Sequence, residues 1–178
     1  MEAKEQKIGE DVAYVPPGEG DRSLWVFGEL VMYKTRSEQT GGAYSLFEIA
    51  SPPGCGPPPH VQHREDESYY LLGGEYEFLV EGRVFRVGAR SLIYVPRGTL
   101  HAHKYAGEGT GRLLLSQTPG GSHERFFEEI GEPAVDGSRP PVQADQQHME
   151  KIIAIATDYG IEIPSPVRSD GGQQRIPQ

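Results

Sequence analysis

Downstream of residue 68 the chain is cut by one turn signal after another, and this rhythm limits the fold more than any other feature. Residues 68–72 end at Gly73-Gly74, residues 76–80 and 83–87 flank Glu81-Gly82, and residues 91–95 end at Pro96-Arg97-Gly98. Residues 101–105 and 112–117 complete the run. The pieces between turns are short and rich in β-branched and aromatic side chains, and Glu81-Gly82 reads as a two-residue hairpin turn. Short strands with turn signals about every eight to twelve residues predict an antiparallel all-β sandwich or barrel. Upstream, residues 23–27, 30–34 and 43–50 add further strands, with a turn at 37–42. Residues 51–59 hold five prolines and two glycines, which precludes regular structure because proline lacks the N–H and glycine a side chain to pack.

After Pro119 the pattern changes. Ser122 caps a short helix over Ser122–Ile130, and a Pro/Gly-containing connector follows. Asp145 then caps a second helix, in which Met149, Ile152, Ile153, Ala156 and Tyr159 fall at helical spacing and Gly160 supplies the stop. The 178 residues fit one domain. Its expected parts are a flexible arm at 1–11, a barrel at 12–120, C-terminal helices packed on the barrel at 121–163 and a frayed tail at 164–178.

A formal charge of −9 and a pI of about 5.1 disfavour nucleic acid and anionic membranes as partners. No apolar run approaches the ~18 residues of a membrane span. The first ten residues are polar, and the single cysteine, Cys55, leaves no internal disulfide to form. A cytoplasmic location is the expectation.

Two histidine clusters carry the chemistry. The first is His60-Val61-Gln62-His63-Arg64-Glu65-Asp66-Glu67, and the second is His101-Ala102-His103 directly after the Pro96-Arg97-Gly98 turn. Residues two apart on a strand share a face, so His60 and Gln62 point one way and His63 the other. Glu67 can return to the first face from the neighbouring strand, and His101 can close the site from a third. Imidazole, carboxylate and imidazole converging on one point suit a single divalent ion: Zn, Mn, Fe, Ni or Cu. His103 shares the face of His101 and either lines the cavity or is a satisfied barrel residue. His123 and His148 are expected at the solvent surface, and Cys55 as a spectator. Tyr69, Tyr70, Tyr76 and Phe78 suit either core packing or a cavity wall.

The pattern Gly54-x5-His60-x-Gln62-x4-Glu67-x6-Gly74 resembles the first cupin motif, and Pro96-Arg97-Gly98-x2-His101 resembles the core of the second. The run Pro57-Pro58-Pro59-His60, with His63-Arg64-Glu65-Asp66-Glu67-Ser68-Tyr69-Tyr70, is similar to single-domain cupins of the quercetin 2,3-dioxygenase-like subgroup. The likeness runs on through Ser116–Gly121 and Phe126-Phe127 to Tyr159-Gly160-Ile161-Glu162. It implies an antiparallel jelly-roll β-barrel with short C-terminal helices, usually a homodimer. It also implies a metal-dependent enzyme acting on a small aromatic or enol substrate, flavonol-like, as a dioxygenase. Glu67 would be both ligand and base. The alternatives are a non-oxidative isomerase, cyclase or decarboxylase, or a cupin that binds a small molecule without turnover.

The chain departs from the family in places. Gln62 stands where the first motif has its second histidine. Either Gln62 ligates through its amide oxygen, which its spacing to His60 and Glu67 favours, or a bulge turns His63 inward instead. Tyr105 replaces the closing Asn of the second motif, and Arg90 stands where glycine is usual.

Overall fold

The computed structural model describes residues 6–9, 12–135 and 146–164. Strands β1 (Gln6–Gly9) and β2 (Val12–Tyr14) form a two-stranded ribbon of their own, so part of the expected N-terminal arm is a strand. A meander of β3 (Ser23–Val26), β4 (Glu29–Thr35) and β5 (Ser45–Ser51) follows. Next come β6 (His60–Gln62), β7 (Asp66–Gly73), β8 (Glu75–Val80), β9 (Arg83–Gly88), β10 (Leu92–Val95), β11 (Leu100–Tyr105) and β12 (Gly111–Thr118). Helix α1 (Ser122–Ile130), strand β13 (Glu132–Pro133), helix α2 (Gln146–Asp158) and strand β14 (Ile161–Glu162) complete the order. Asp145 and residues 165–178 lie outside the described residues.

Two antiparallel sheets result, one ordered β10-β7-β12-β5-β4-β3-β13 and the other β14-β6-β11-β8-β9. From β6 onward the chain passes repeatedly from one sheet to the other, which is the jelly-roll topology expected from the sequence. Among the described residues no continuous ladder joins the sheet edges, so the barrel they form is an open one.

Period-two alternation decides which side chains face inward. On β7 these are Glu67, Tyr69 and Leu71, and on β12 they are Leu113, Leu115 and Gln117. On β11 they are His101, His103 and Tyr105. A single core joins both sheets to Phe126 and Phe127 of α1 and to Ile152 and Ala156 of α2. Neither helix could bury these residues alone, so both pack on the sheets.

The Pro-rich loop after β5 is irregular yet fixed. Gly54 N donates to Tyr105 O and Tyr105 N to Cys55 O, each at 3.0 Å, so the loop runs along β11 without using a proline nitrogen. It approaches so closely that a Cβ on Gly56 would stand 2.0 Å from the His103 carbonyl oxygen. The loop thereby delivers His60 beside β11. At the β8–β9 turn, Glu81 and Gly82 have φ of 48° and 77°, the positive pair a type I′ hairpin requires. Arg90 has φ of 70°, which explains why its place is usually taken by glycine.

Two stability measurements check this account. Leu113→Ala, at a fully buried site on β12, is expected to cost about 2–5 kcal/mol in urea unfolding. Arg90→Gly removes a left-handed strain of roughly 1–2 kcal/mol against a glycine entropy cost of roughly 0.5–1 kcal/mol. It should therefore raise stability slightly, whereas Arg90→Ala should not.

Candidate metal centre

His60 lies on β6 and His101 on β11, and the two are direct partners in the antiparallel register. That pairing brings their rings to a centroid separation of 4.4 Å. Glu67 comes from β7, which belongs to the other sheet. The sequence reading places it on a neighbouring strand, whereas the carboxylate crosses the interior to meet the imidazoles. His60, Glu67 and His101 each offer a ligand atom, all within 4.8 Å of one another, and all three are buried.

The surroundings fix each of these side chains. The Nδ1 of His60 lies 2.9 Å from Pro58 O, and that of His101 lies 3.0 Å from Thr99 O. A carbonyl only accepts, so both Nδ1 atoms carry the ring proton when neutral, leaving Nε2 as the donor atom for a cation. Gln117 Nε2 donates to Glu67 Oε1 at 2.9 Å, and the Tyr69 hydroxyl lies 3.2 Å from Glu67 Oε2. His101 Nε2 approaches Glu67 Oε2 to 2.6 Å. Burial pushes the Glu67 carboxyl up, but the hydrogen bond and charge of His101 outweigh it and hold the group well below the usual range. Burial pulls His101 down, yet the Glu67 contact raises it overall. His60 has no such contact: burial and the neighbouring His101 lower it to about 4.

Gln62 is 1% exposed, and its Oε1 is a buried atom without a hydrogen-bond partner among the described residues. A buried, orphaned amide oxygen on the strand that carries His60, and on the same face of it, is a donor that fits a divalent cation. His63 points outward. Its side chain is 51% exposed and pairs with Glu162 at 3.1 Å. His103 is buried with His101, and His148 is exposed, as expected.

His123 corrects the expectation of a solvent-exposed side chain. It is 5% exposed, its Nδ1 contacts Gln62 Nε2, and burial lowers it to about 3. Its ring stands edge-on to Phe127 at 4.3 Å, so docking of α1 carries it inside. The sequence held one signal for this, since Phe126 and Phe127 lie one turn beyond it on the same apolar face. Glu29, which lies against His103 Nε2 at 3.2 Å, carried no signal in the sequence.

The turn before His101 is held by Asp66, which accepts from the Arg97 backbone N at 2.9 Å and from its guanidinium. These hydrogen bonds lower its carboxyl to about 2. A depressed carboxylate stabilises above its unfolded pKa, ~3.9. The contribution is lost as pH falls through about 2. Wild type should therefore be more stable than Asp66→Asn at pH 6, and the difference in urea midpoint should shrink toward pH 2. Elemental analysis of purified protein checks the ligands. His60→Ala and His101→Ala should lose the ion, whereas His63→Ala should retain it.

Residues 47–116 match the family model described as Cupin domain, a segment that runs from β5 into β12 and contains His60, Glu67 and His101. No curated protein matches the sequence. Among solved structures, KdgF from Halomonas sp. is similar at 17% identity and a TM-score of 0.56, over 64% of this chain and 98% of that one. The cupin domain of Cnp3 from Schizosaccharomyces pombe is 21% identical with a TM-score of 0.47, over 61% and 76% of the two chains. A protein described as a predicted oxalate decarboxylase from Thermotoga maritima is 22% identical with a TM-score of 0.49, over 51% and 80%. Of these three, KdgF alone exceeds a TM-score of 0.5, and at its identity the likeness speaks to the fold. The matched segment, less than half of the chain, is similar to a cupin domain, and the likeness to KdgF extends to the fold.

Proposed function

We propose that the protein is a metal-dependent enzyme acting on a small organic molecule with an acidic hydroxyl, enol or carboxyl group. One observation carries this reading: two members of the buried cluster, His60 and Glu67, line a mainly apolar cavity. His60, Gln62, Glu67 and His101 would hold one divalent ion. That ion would act as a Lewis acid toward a substrate oxygen, or support oxidation if it is redox-active.

The remaining groups are the chain's own. Glu67 is the candidate base for a substrate hydroxyl, being a carboxylate on the cavity wall with the Tyr69 hydroxyl beside it. Aromatic and aliphatic side chains, Phe126, Phe127 and Ile49 among them, exclude water. Glu29 and His103 supply polar groups on the same cavity wall.

Cavity size bears on the substrate. At about 30 Å³ the space is far below the ~300 Å³ at which ordinary ligand pockets begin. That is room for one or two waters, so any organic substrate requires the lining to open, a compact one less than a flavonol. The dioxygenase form of the proposal therefore favours small enols. The neutral amide of Gln62 favours a second form, a non-oxidative isomerase, cyclase or decarboxylase, because an amide oxygen tunes a redox metal less than an imidazole would.

Metal-loaded protein should be assayed for oxygen uptake with small enols and flavonols, and by NMR for non-oxidative conversion of small hydroxy and keto acids. Turnover should depend on the ion and fall by about 10²–10⁴-fold in Glu67→Gln. Ligand binding without turnover under any metal would leave a binding protein instead.

A further inference from the structure

Gln62 can present either end of its amide to the cluster, and only the oxygen can bind a cation. The contact with His123 bears on which end that is. An amide NH2 donates and cannot accept, so His123 Nδ1 accepts from Gln62 Nε2 and the imidazole proton sits on Nε2. With its nitrogen engaged, the amide is left with Oε1 buried and unpartnered among the described residues. His123 is itself held on two sides. Its ring packs edge-on against Phe127 at 4.3 Å and Phe126 at 5.6 Å. Its backbone N–H donates to Glu65 Oε1 at 3.0 Å, beside that of Ser122 at 3.1 Å. Glu65 lies between Gln62 and Glu67 in sequence, so the first turn of α1 is fastened to the loop that carries the ligands.

We infer that His123 is a positioning residue for the metal centre, holding the Gln62 amide so that its oxygen faces His60, Glu67 and His101. The inference rests on the metal-site reading above and adds a residue outside the ligand set, from a helix outside both sheets. His123 contributes no atom to the ligand cluster itself. It acts through the amide.

Cobalt(II) binding to the full chain tests this, read as affinity by chelator competition and as the visible spectrum of the bound ion. His123→Phe keeps an aromatic ring against Phe126 and Phe127 but offers no acceptor. It should weaken binding by about 10–100-fold and give the spectrum of Gln62→Ala. In a Gln62→Ala background the same substitution should have no further effect, because its partner is gone. His123→Asn places an acceptor near the position of Nδ1 and should retain most of the affinity and the wild-type spectrum.

Wild-type affinity in a folded His123→Phe variant overturns the inference. So do equal losses with and without Gln62, which would assign His123 to packing alone. Should the phenylalanine variant fail to fold, His123→Ala carries the same cycle. Absence of cobalt binding by the wild type overturns the metal-site reading itself, whereas normal binding with an additive cycle overturns only the role of His123.

Discussion

A carboxylate at 1% exposure in the interior of a β-sandwich is tolerable only when its charge is met on every side. Glu67 is that carboxylate. It stands in one sheet and reaches to His101 in the other, with Gln117 and Tyr69 completing its shell. Each partner occupies an inward position fixed by strand alternation, and Gln117 is its direct cross-strand neighbour. The sheets therefore cannot slide past one another without stripping a buried charge of its partners. The same convergence that makes the interior tolerable gathers ligand atoms at one point.

The strands were legible because alternation and turn chemistry are local. Glu81-Gly82 announces its hairpin by composition, and the inward set on β7 follows from every second residue. His60, Glu67 and His101 were legible as a group from their spacing to glycines and to one another. The route by which they meet was not. Which sheet a strand joins is decided by how the chain crosses over, so Glu67 was assigned to a neighbouring strand rather than to the opposite wall. His123 and Glu29 were missed for a related reason. Each is brought to the interior by the docking of a whole element, and a lone polar residue in sequence does not reveal which face that docking will bury.

Helix α1 shows how such docking is enforced by polar groups as well as by Phe126 and Phe127. Glu65 accepts the backbone N–H groups of Ser122 and His123, using the open donors of a helix N-terminus. Glu124, from the helix itself, accepts from the hydroxyls of Ser37 and Ser45, which stand at the two ends of the β4–β5 connection. Burial raises Glu65 to about 7 even so, a sign that its second oxygen is poorly served. Within the sheets, Tyr76 donates to Ser51 and Ser51 to Glu29, which lies against His103.

The pairing of His60 with His101 across β6 and β11 reaches beyond the site itself. Strand β6 is only three residues long, and few ladder bonds hold it in place. A slip of one residue along β11 would turn Val61 to the inner face and carry His60 and Gln62 to the opposite one. An ion that requires both imidazoles would thus favour one alignment of this short strand over its alternatives.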